Sequence, residues 1–197
     1  MKETFAIIAS LLAVFGNISY LKDVLKNNIK PHPYTWFIWT IVSLVTFFGQ
    51  IAKGAGIGAL PTGIAEGFTV LIFLLSLKIF LKKQHTEHIR KVDHIFLVIA
   101  LLGLIPWVIT KDPTISVIIV VSIDLIAFVP TLRKTWNNPS SEKPTLYQMN
   151  VLRHILSLFS LEAYNVATTL HSYTMIVTNT LMVFFIKRKN KFVYRAR

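Results

Sequence analysis

Hydrophobicity divides the chain into seven apolar blocks of roughly 17 to 22 residues, and this division constrains the fold more than any other feature. A helix of about 20 apolar residues spans the roughly 30 Å of hydrocarbon in a bilayer. Only 15% of the residues are charged, against about 25% in an ordinary soluble domain. We therefore predict an all-α membrane protein with seven transmembrane helices; the alternative is a soluble all-helical core.

Prolines, glycines and basic residues separate the predicted spans. The spans are, in order, Thr4–Leu21, Tyr34–Ala52, Leu60–Leu81, Val92–Thr110, Thr114–Leu132, Leu146–Val166 and Leu170–Ile186. Residues 53–58 contain three glycines and are expected to form a flexible loop. This loop lacks the Gly-Lys-Ser/Thr ending of a phosphate-binding loop, so no nucleotide site is expected there.

Lys and Arg are distributed unequally over the two sides of the predicted membrane domain. Sixteen lie in the loops after spans 1, 3 and 5 and in the C-terminal tail, and three lie on the other side. The protein is expected in the cell (inner) membrane. Because cytoplasmic loops carry the excess of basic residues, its N-terminus is expected outside the cell and its C-terminus in the cytoplasm. The same distribution accounts for the formal charge of +12 without a nucleic-acid partner.

The sequence contains an internal repeat of three spans. Phe15–Lys22, at the end of span 1, aligns with Ala127–Lys134 at the end of span 5, and Lys30-Pro31 aligns with Lys143-Pro144 after a one-residue slip. Spans 3 and 7 end alike, in an aromatic residue, an aliphatic residue and a basic pair.

The repeat predicts a 3+1+3 organisation. Residues 1–83 form the first three-helix repeat, residues 84–112 a basic loop and a linker helix, and residues 113–197 the second repeat with a basic cytoplasmic tail. Because three spans invert the direction of the chain, the linker helix makes the two repeats parallel. Parallel repeats place a substrate site between them, near the middle of the membrane.

This arrangement resembles the PQ-loop family, which includes the SWEET sugar transporters and cystinosin-like transporters. The family's Pro-Gln pair lies at the inner end of the first span of each unit. Pro130-Thr131 holds that position in the second unit, and Ile18-Ser19 holds it in the first, where Gly16 supplies a soft point. Together with Trp36-Phe-Ile-Trp39, these segments are most similar to a bacterial seven-span branch.

The resemblance implies a transporter that moves a small polar solute, such as a sugar or an amino acid, by alternating access in the lipid bilayer. SWEET-like members line the pocket with an Asn from the last span of each unit. Asn179 matches this position in span 7, and span 3 has no Asn. Such a transporter works as a monomer or a homo-oligomer.

Three further residues are expected to line or border the pocket: Trp36, Trp39 and Asp124. The tryptophans can alternatively be membrane-interface anchors. Pro130 removes one backbone hydrogen bond from its helix, so it is either a gate hinge, with Gly16 as its counterpart, or a static kink.

Four charged residues within or near the spans need an explanation, because an isolated charge in hydrocarbon is costly. Asp124 and Arg153 lie at similar predicted depths, so they form either a structural ion pair or a proton-coupling pair. Glu66 and Glu162 lie near the outer ends of their spans and are either interface residues or an outer gate. Of the two histidines in this region, His154 is expected in the core and His171 at the outer surface.

No arrangement of catalytic residues is recognisable in the sequence, and no enzyme activity is expected. The motifs of serine hydrolases and of zinc metalloproteases are absent. The chain has no Cys, and the spacing of His85 and His88 would suit metal ligands, but no set of acid or Cys residues completes a site with them. A solvated loop is the favoured interpretation, so no cofactor or metal is expected. The alternative to transport is a receptor or assembly factor on the same scaffold, since a fold does not determine a function; a membrane enzyme is a third possibility.

Overall fold

The computed structural model describes residues 1–26, 31, 33–82, 94–95, 97–98, 101–102, 109–137 and 144–195. Within these ranges the chain forms six long α-helices and one 3-10 helix. The α-helices are α1 (Lys2–Leu25), α2 (Pro33–Ala52), α3 (Leu60–Leu81), α4 (Pro113–Asn137), α5 (Pro144–Ser160) and α6 (Val166–Arg195). The 3-10 helix spans Gly56–Ala59, immediately before α3. Predicted span 4 and the loops around it lie largely outside the described residues.

The helix starts follow local chemistry. Pro33, Pro113 and Pro144 are each the first residue of a helix, where the missing proline N–H costs nothing. Asp112 caps α4, because its Oδ1 accepts hydrogen bonds from the backbone N–H groups of Thr114 (2.7 Å) and Ile115 (3.2 Å). These bonds stabilise the carboxylate, so the pKa of Asp112 lies below its ordinary value.

The boundary between α5 and α6 differs from the prediction. Predicted span 6 ran on to Val166, whereas α5 ends at Ser160 and α6 begins at Val166. Asn165 and Thr168 cause the difference by capping α6 reciprocally. The Asn165 Oδ1 accepts from the Thr168 N–H (3.2 Å), and the Thr168 Oγ1 accepts from the Asn165 N–H (3.0 Å).

The six helices pack in a closed ring, in the order α1, α3, α2, α4, α6, α5 and back to α1. α2 also touches α6 across the ring. Glycines allow two of these helix pairs to approach closely: a Cβ at Gly49 of α2 would lie 2.7 Å from Val117 of α4, and one at Gly63 of α3 would lie 2.6 Å from Phe47 of α2. Close packing of this kind, rather than the hydrophobic effect, joins helices within a bilayer.

Contacts between helix ends establish the direction of each helix. The start of α1 meets the end of α5, since the rings of Phe5 and Phe159 are 5.6 Å apart. The end of α2 meets the start of α4, where Gly49 lies next to Pro113. We call this end of the bundle, which also holds residues 53–59 and 161–165, the N-terminal end.

The surface of the ring is apolar and its interior contains polar side chains, the reverse of a soluble protein. Phe15, Phe48 and Leu74 are more than half exposed, whereas Asp124 and Asn179 are buried. Within the described residues, three helices are long and apolar enough to cross a membrane: Lys2–Leu25, Gly56–Leu81 and Val166–Lys187. The described part of the chain is therefore all-α, and its helices indicate a membrane protein.

Candidate functional site

Asp124 and the two tryptophans, predicted together as pocket residues, lie together in the structure. Asp124 is buried on α4, and its carboxyl group pairs with the indole N–H of Trp39 on α2. The Trp39 and Trp36 rings pack edge to face at 5.2 Å, and the Trp36 ring lies 5.2 Å from Tyr20 of α1. Two helices, α1 and α2, thus contribute to one row of aromatic rings, and the row ends at a carboxyl group of a third helix, α4.

Asp124 faces the interior of the ring. Its neighbours Val120 and Ile123 pack against α2, and Val121 packs against α6. Successive residues of a helix are about 100° apart, so Asp124 lies between these two contact faces. The polar end of the aromatic row therefore points inward, and it lies about 16 Å from the N-terminal end of α4 at 1.5 Å per residue.

Asn179 does not join this group. Its amide Nδ2 donates to the Met175 carbonyl of its own helix (2.7 Å), and its Oδ1 accepts from Asn150 of α5 (3.4 Å). Asn179 therefore lies at the contact between α5 and α6. The corresponding level of α3, thirteen residues after its first residue, holds Phe73, whose ring lies 5.4 Å from that of Phe37 of α2.

Arg153 and Asp124 do not form an ion pair. In the ring α6 separates α4 from α5, and Asp124 pairs with Trp39 instead. The Arg153 guanidinium contacts His154, with 2.8 Å between Nη2 and Nε2. Similar depths along two helices permit a contact, but only neighbouring helices can form one.

His171 lies inside the bundle rather than at the outer surface. Its side chain is 7% exposed, and its ring packs edge to face against His154 at 5.4 Å. His154 is a core residue, as predicted, and its Nδ1 lies 3.3 Å from Ser172 Oγ. The prediction for His171 was wrong because the first turns of α6 pack against α5 and bury the His171 side chain.

Two further polar side chains of α2, which were not predicted as site residues, lie in the interior of the bundle. Thr46 and Gln50 are buried, and the Gln50 Nε2 donates to the Thr168 carbonyl of α6 (3.3 Å). The Gln50 Oε1 is buried and has no hydrogen-bond partner among the described residues. Their spacing of four in an apolar span was the available signal, because such a spacing places both on one helix face.

The connections at the N-terminal end pack on one another and form a clasp, which we define as residues 53–59 and 161–165. The Glu162 N–H donates to the Ala55 carbonyl (3.2 Å), and Glu162 Oε1 accepts from the Ile57 N–H (3.4 Å). The Asn165 Nδ2 donates to the Lys53 carbonyl (3.1 Å). The glycine-rich segment expected to be flexible is therefore bound in a 3-10 helix against the opposite connection.

Glycines make the clasp possible. Gly54 and Gly56 have φ angles of +77° and +57°, which only glycine adopts at little cost. A Cβ at Gly58 would lie 2.8 Å from the Leu161 Cα, and one at Gly56 would collide with the Glu162 carboxyl group.

Glu66 and Glu162, predicted as a pair of outer polar residues, have different surroundings. Glu162 is exposed and belongs to the clasp. Glu66 is only 4% exposed and lies next to Ser43 of α2. Neither Glu66 oxygen makes a hydrogen bond of good geometry among the described residues, although the Ser43 hydroxyl lies close enough to interact with the carboxyl group. Glu66 is not in reach of water because it faces α2 rather than the end of the bundle.

Of the two predicted gate residues, Gly16 is buried within α1. A Cβ at Gly16 would have no heavy atom of the described residues within 4 Å, so the interior has space beside it. The backbone of Pro130 lies within α4, which continues helically to Asn137; the Pro130 side chain is outside the described part.

No protein-family model matches the chain, and neither a curated protein nor a solved structure matches it.

Proposed function

We propose that the chain is a PQ-loop/SWEET-like membrane transporter that moves a small polar solute by alternating access between two three-helix halves. The observation that carries this proposal is a ring of helices with an apolar outside and a polar inside, closed at one end by paired connections. Gln50 Oε1, Arg153 Nε and His171 Nδ1 are buried without a hydrogen-bond partner in the part of the chain that the structure describes, and a polar occupant of the ring would satisfy them.

The order of the helices in the ring supports the 3+1+3 repeat. In each half the third helix packs between the first two: α3 lies between α1 and α2, and α6 between α4 and α5. The halves meet through α1 with α5 and through α2 with α4, and these two contacts exchange when the halves are exchanged. Parallel repeats related in this way carry their site at the interface between them.

Corresponding positions of the two halves support the same organisation. Glu66 and Ser172 each follow the first residue of their helix by six, and both face a polar side chain of the preceding helix. Phe73 and Asn179 each follow it by thirteen, and both contact the preceding helix. The second half carries polar groups where the first carries aromatic rings, so the halves are unequal.

The clasp is the outer gate of this transporter in its closed position. The excess of Lys and Arg at the other end of the bundle supports an orientation with the N-terminal end outside the cell. The arrangement then corresponds to a state closed to the outside, and transport requires the clasp to open.

A disulfide across the clasp tests this mechanism. A Cβ at Gly54 would lie 3.6 Å from the Cβ of Ala163, within the range for a disulfide, and the chain has no other Cys. In proteoliposomes, oxidised G54C/A163C should lose uptake of a labelled solute, and dithiothreitol should restore it. Each single variant is the control for the strain of replacing Gly54.

The solute is sought first with the wild-type protein. Labelled D-glucose, L-alanine and L-lactate are offered to sealed proteoliposomes, and saturable accumulation of any of them supports transport. Saturable binding without accumulation would replace the transporter with a receptor, and turnover of the solute would indicate an enzyme. Unchanged uptake by the oxidised double variant would contradict the clasp as gate.

Proton coupling through Asp124 is the second layer of the proposal. A carboxyl group that faces the interior next to a single indole donor is placed to exchange a proton during transport. D124N should retain binding but lose the dependence of uptake on an inward proton gradient. If uptake by D124N and by the wild type depended equally on the proton gradient, proton coupling through Asp124 would be rejected and facilitated transport would remain.

Gly16 and Pro130 are the proposed flexible points of the first helix of each half. G16A and P130A should reduce the rate of uptake while preserving binding, because each restores helix rigidity. Uptake at the wild-type rate in both variants would assign the two residues a structural role only.

A further inference from the structure

Arg153 brings a positive charge into the bundle, and none of the acids that the structure describes forms an ion pair with it. Its Nε atom is buried and has no hydrogen-bond partner among the described residues. The nearest candidates among the described acids are otherwise placed: Asp124 pairs with Trp39, Glu66 lies next to Ser43, and Glu162 belongs to the clasp. A charge in the interior of a membrane protein normally has a partner.

His154 does not supply that partner. A guanidinium group only donates hydrogen bonds, so the His154 Nε2, 2.8 Å from Arg153 Nη2, is the acceptor. The proton of the imidazole is then on Nδ1, from which it is donated to Ser172 Oγ at 3.3 Å. This arrangement holds His154 neutral and orients the guanidinium.

Arg153 lies on the face of α5 that is directed into the bundle. Ser157 and Ser160, four and seven residues further along the helix, are 4% and 0% exposed, and residues at this spacing share a helix face. On one side of this stripe, Asn150 and His154 meet α6. On the other side, Phe159 meets α1.

A second buried donor or acceptor points to the same place. The Nδ1 atom of His171 has no hydrogen-bond partner among the described residues, although the His171 side chain is only 7% exposed. Its ring packs against His154, which contacts Arg153. With the proton of the His171 ring on Nδ1, this atom and the Arg153 Nε are two unfilled donors, and an anion with more than one oxygen atom would accept from both.

We infer that Arg153 binds the carboxylate group of the transported solute, so that the substrate class is small organic carboxylates. A planar guanidinium matches a carboxylate with two parallel hydrogen bonds. The assignment of this ligand as the transported solute rests on the proposed function, whereas the binding site itself does not depend on transport.

Ligand-induced thermal stabilisation of the purified full-length protein in detergent tests the inference. The probes are L-lactate, succinate, L-alanine and D-glucose. At least one carboxylate should raise the melting temperature in a saturable way, and D-glucose should not. Stabilisation by L-alanine alone would add a requirement for the ammonium group; stabilisation by L-lactate or succinate would show that the carboxylate suffices.

Variants of Arg153 assign the effect to the site. R153Q should abolish the stabilisation, and R153K should weaken the apparent affinity at least tenfold, because an ammonium group does not offer two parallel N–H bonds. K78Q is the matched control, since Lys78 is a cation within a predicted span whose side chain is exposed. If R153Q does not fold, R153K provides the comparison.

Different experimental outcomes would reject the carboxylate site at Arg153 and the transport function. Stabilisation by D-glucose alone, by no carboxylate, or equally in wild type and R153K would overturn the carboxylate site and leave transport intact. Stabilisation by a carboxylate that is not accumulated in proteoliposomes would retain the site and reject transport.

Discussion

Glu66 is a polar residue in a position that lowers the stability of the folded protein. Its carboxyl group is buried between helices, and neither oxygen has a hydrogen bond among the described residues. A buried polar group left without a partner costs about 1–3 kcal/mol. Such a cost persists in natural proteins mainly where a residue serves something other than stability.

Replacing Glu66 by Met should therefore stabilise the protein. E66M retains the approximate volume and removes the polar atoms, so the melting temperature in detergent should rise by roughly 2–12 °C, given about 2–4 °C per kcal/mol for a chain of this size. E3M is the control, because Glu3 is exposed, and it should leave the melting temperature unchanged. A fall in E66M would mean that the carboxyl group has a stabilising partner.

Asp112 makes stability depend on pH at the start of α4. Its pKa is lowered in the folded protein by the N–H groups of Ile115 and Thr114, whereas the unfolded value is about 3.9. A lowered folded pKa contributes stability that is present above the unfolded pKa and is lost as the pH falls through the folded pKa. The contribution is thus complete at neutral pH.

D112A should consequently melt below wild type at pH 7, and the gap should narrow as the pH falls below about 4. Melting temperatures at several pH values, recorded for both proteins in one detergent, measure this gap. A gap of constant size down to pH 3 would show that the hydrogen bonds do not depend on the charge of the carboxylate.

At the scale of elements, glycine has opposite effects at two nearby positions. Gly58 lies in the clasp, where a Cβ would meet the backbone of Leu161, whereas Gly67 is exposed on α3 with no described atom within 4 Å of its Cβ position. Crowding a packed contact typically costs about 1–3 kcal/mol, while replacing glycine by alanine within an exposed helix gains roughly 0.5–1 kcal/mol.

We therefore expect G58A to lower the melting temperature by roughly 2–12 °C and G67A to raise it by about 1–4 °C. G58A should also increase the labelling of a Cys introduced at Ala163, because it loosens the clasp. Equal melting temperatures for the two variants would mean that the two connections do not pack as described.

For the whole molecule, the arrangement of basic residues predicts its orientation in the membrane. Lys2 lies at the N-terminal end and Lys187 near the end of α6, and the absence of Cys allows each position to be labelled alone. In intact cells, a membrane-impermeant maleimide should label K2C, and it should label K187C only after permeabilisation. The reverse pattern would invert the orientation and make the clasp an inner gate.

The sequence by itself determined the kind of fold and most of its elements. Apolar blocks of membrane-spanning length are a local property, so they identified the helices, and prolines at helix starts placed boundaries to within a few residues. The capping pair Asn165 and Thr168 shifted the boundary between α5 and α6, and α6 continues to Arg195, beyond the predicted end of span 7 at Ile186. Asp124, Trp36 and Trp39 were recognisable as a group because each is unusual within an apolar segment.

Only the tertiary structure decided which residues meet. Depth along a helix can be read from sequence, but the order of helices around the ring cannot, and that order separates Asp124 from Arg153 and joins His154 to His171. The glycine-rich segment acquired its 3-10 helix from a contact with residues more than a hundred positions away. A periodic pattern specifies the face that a helix buries, and its partner on that face is specified only when all six helices pack together.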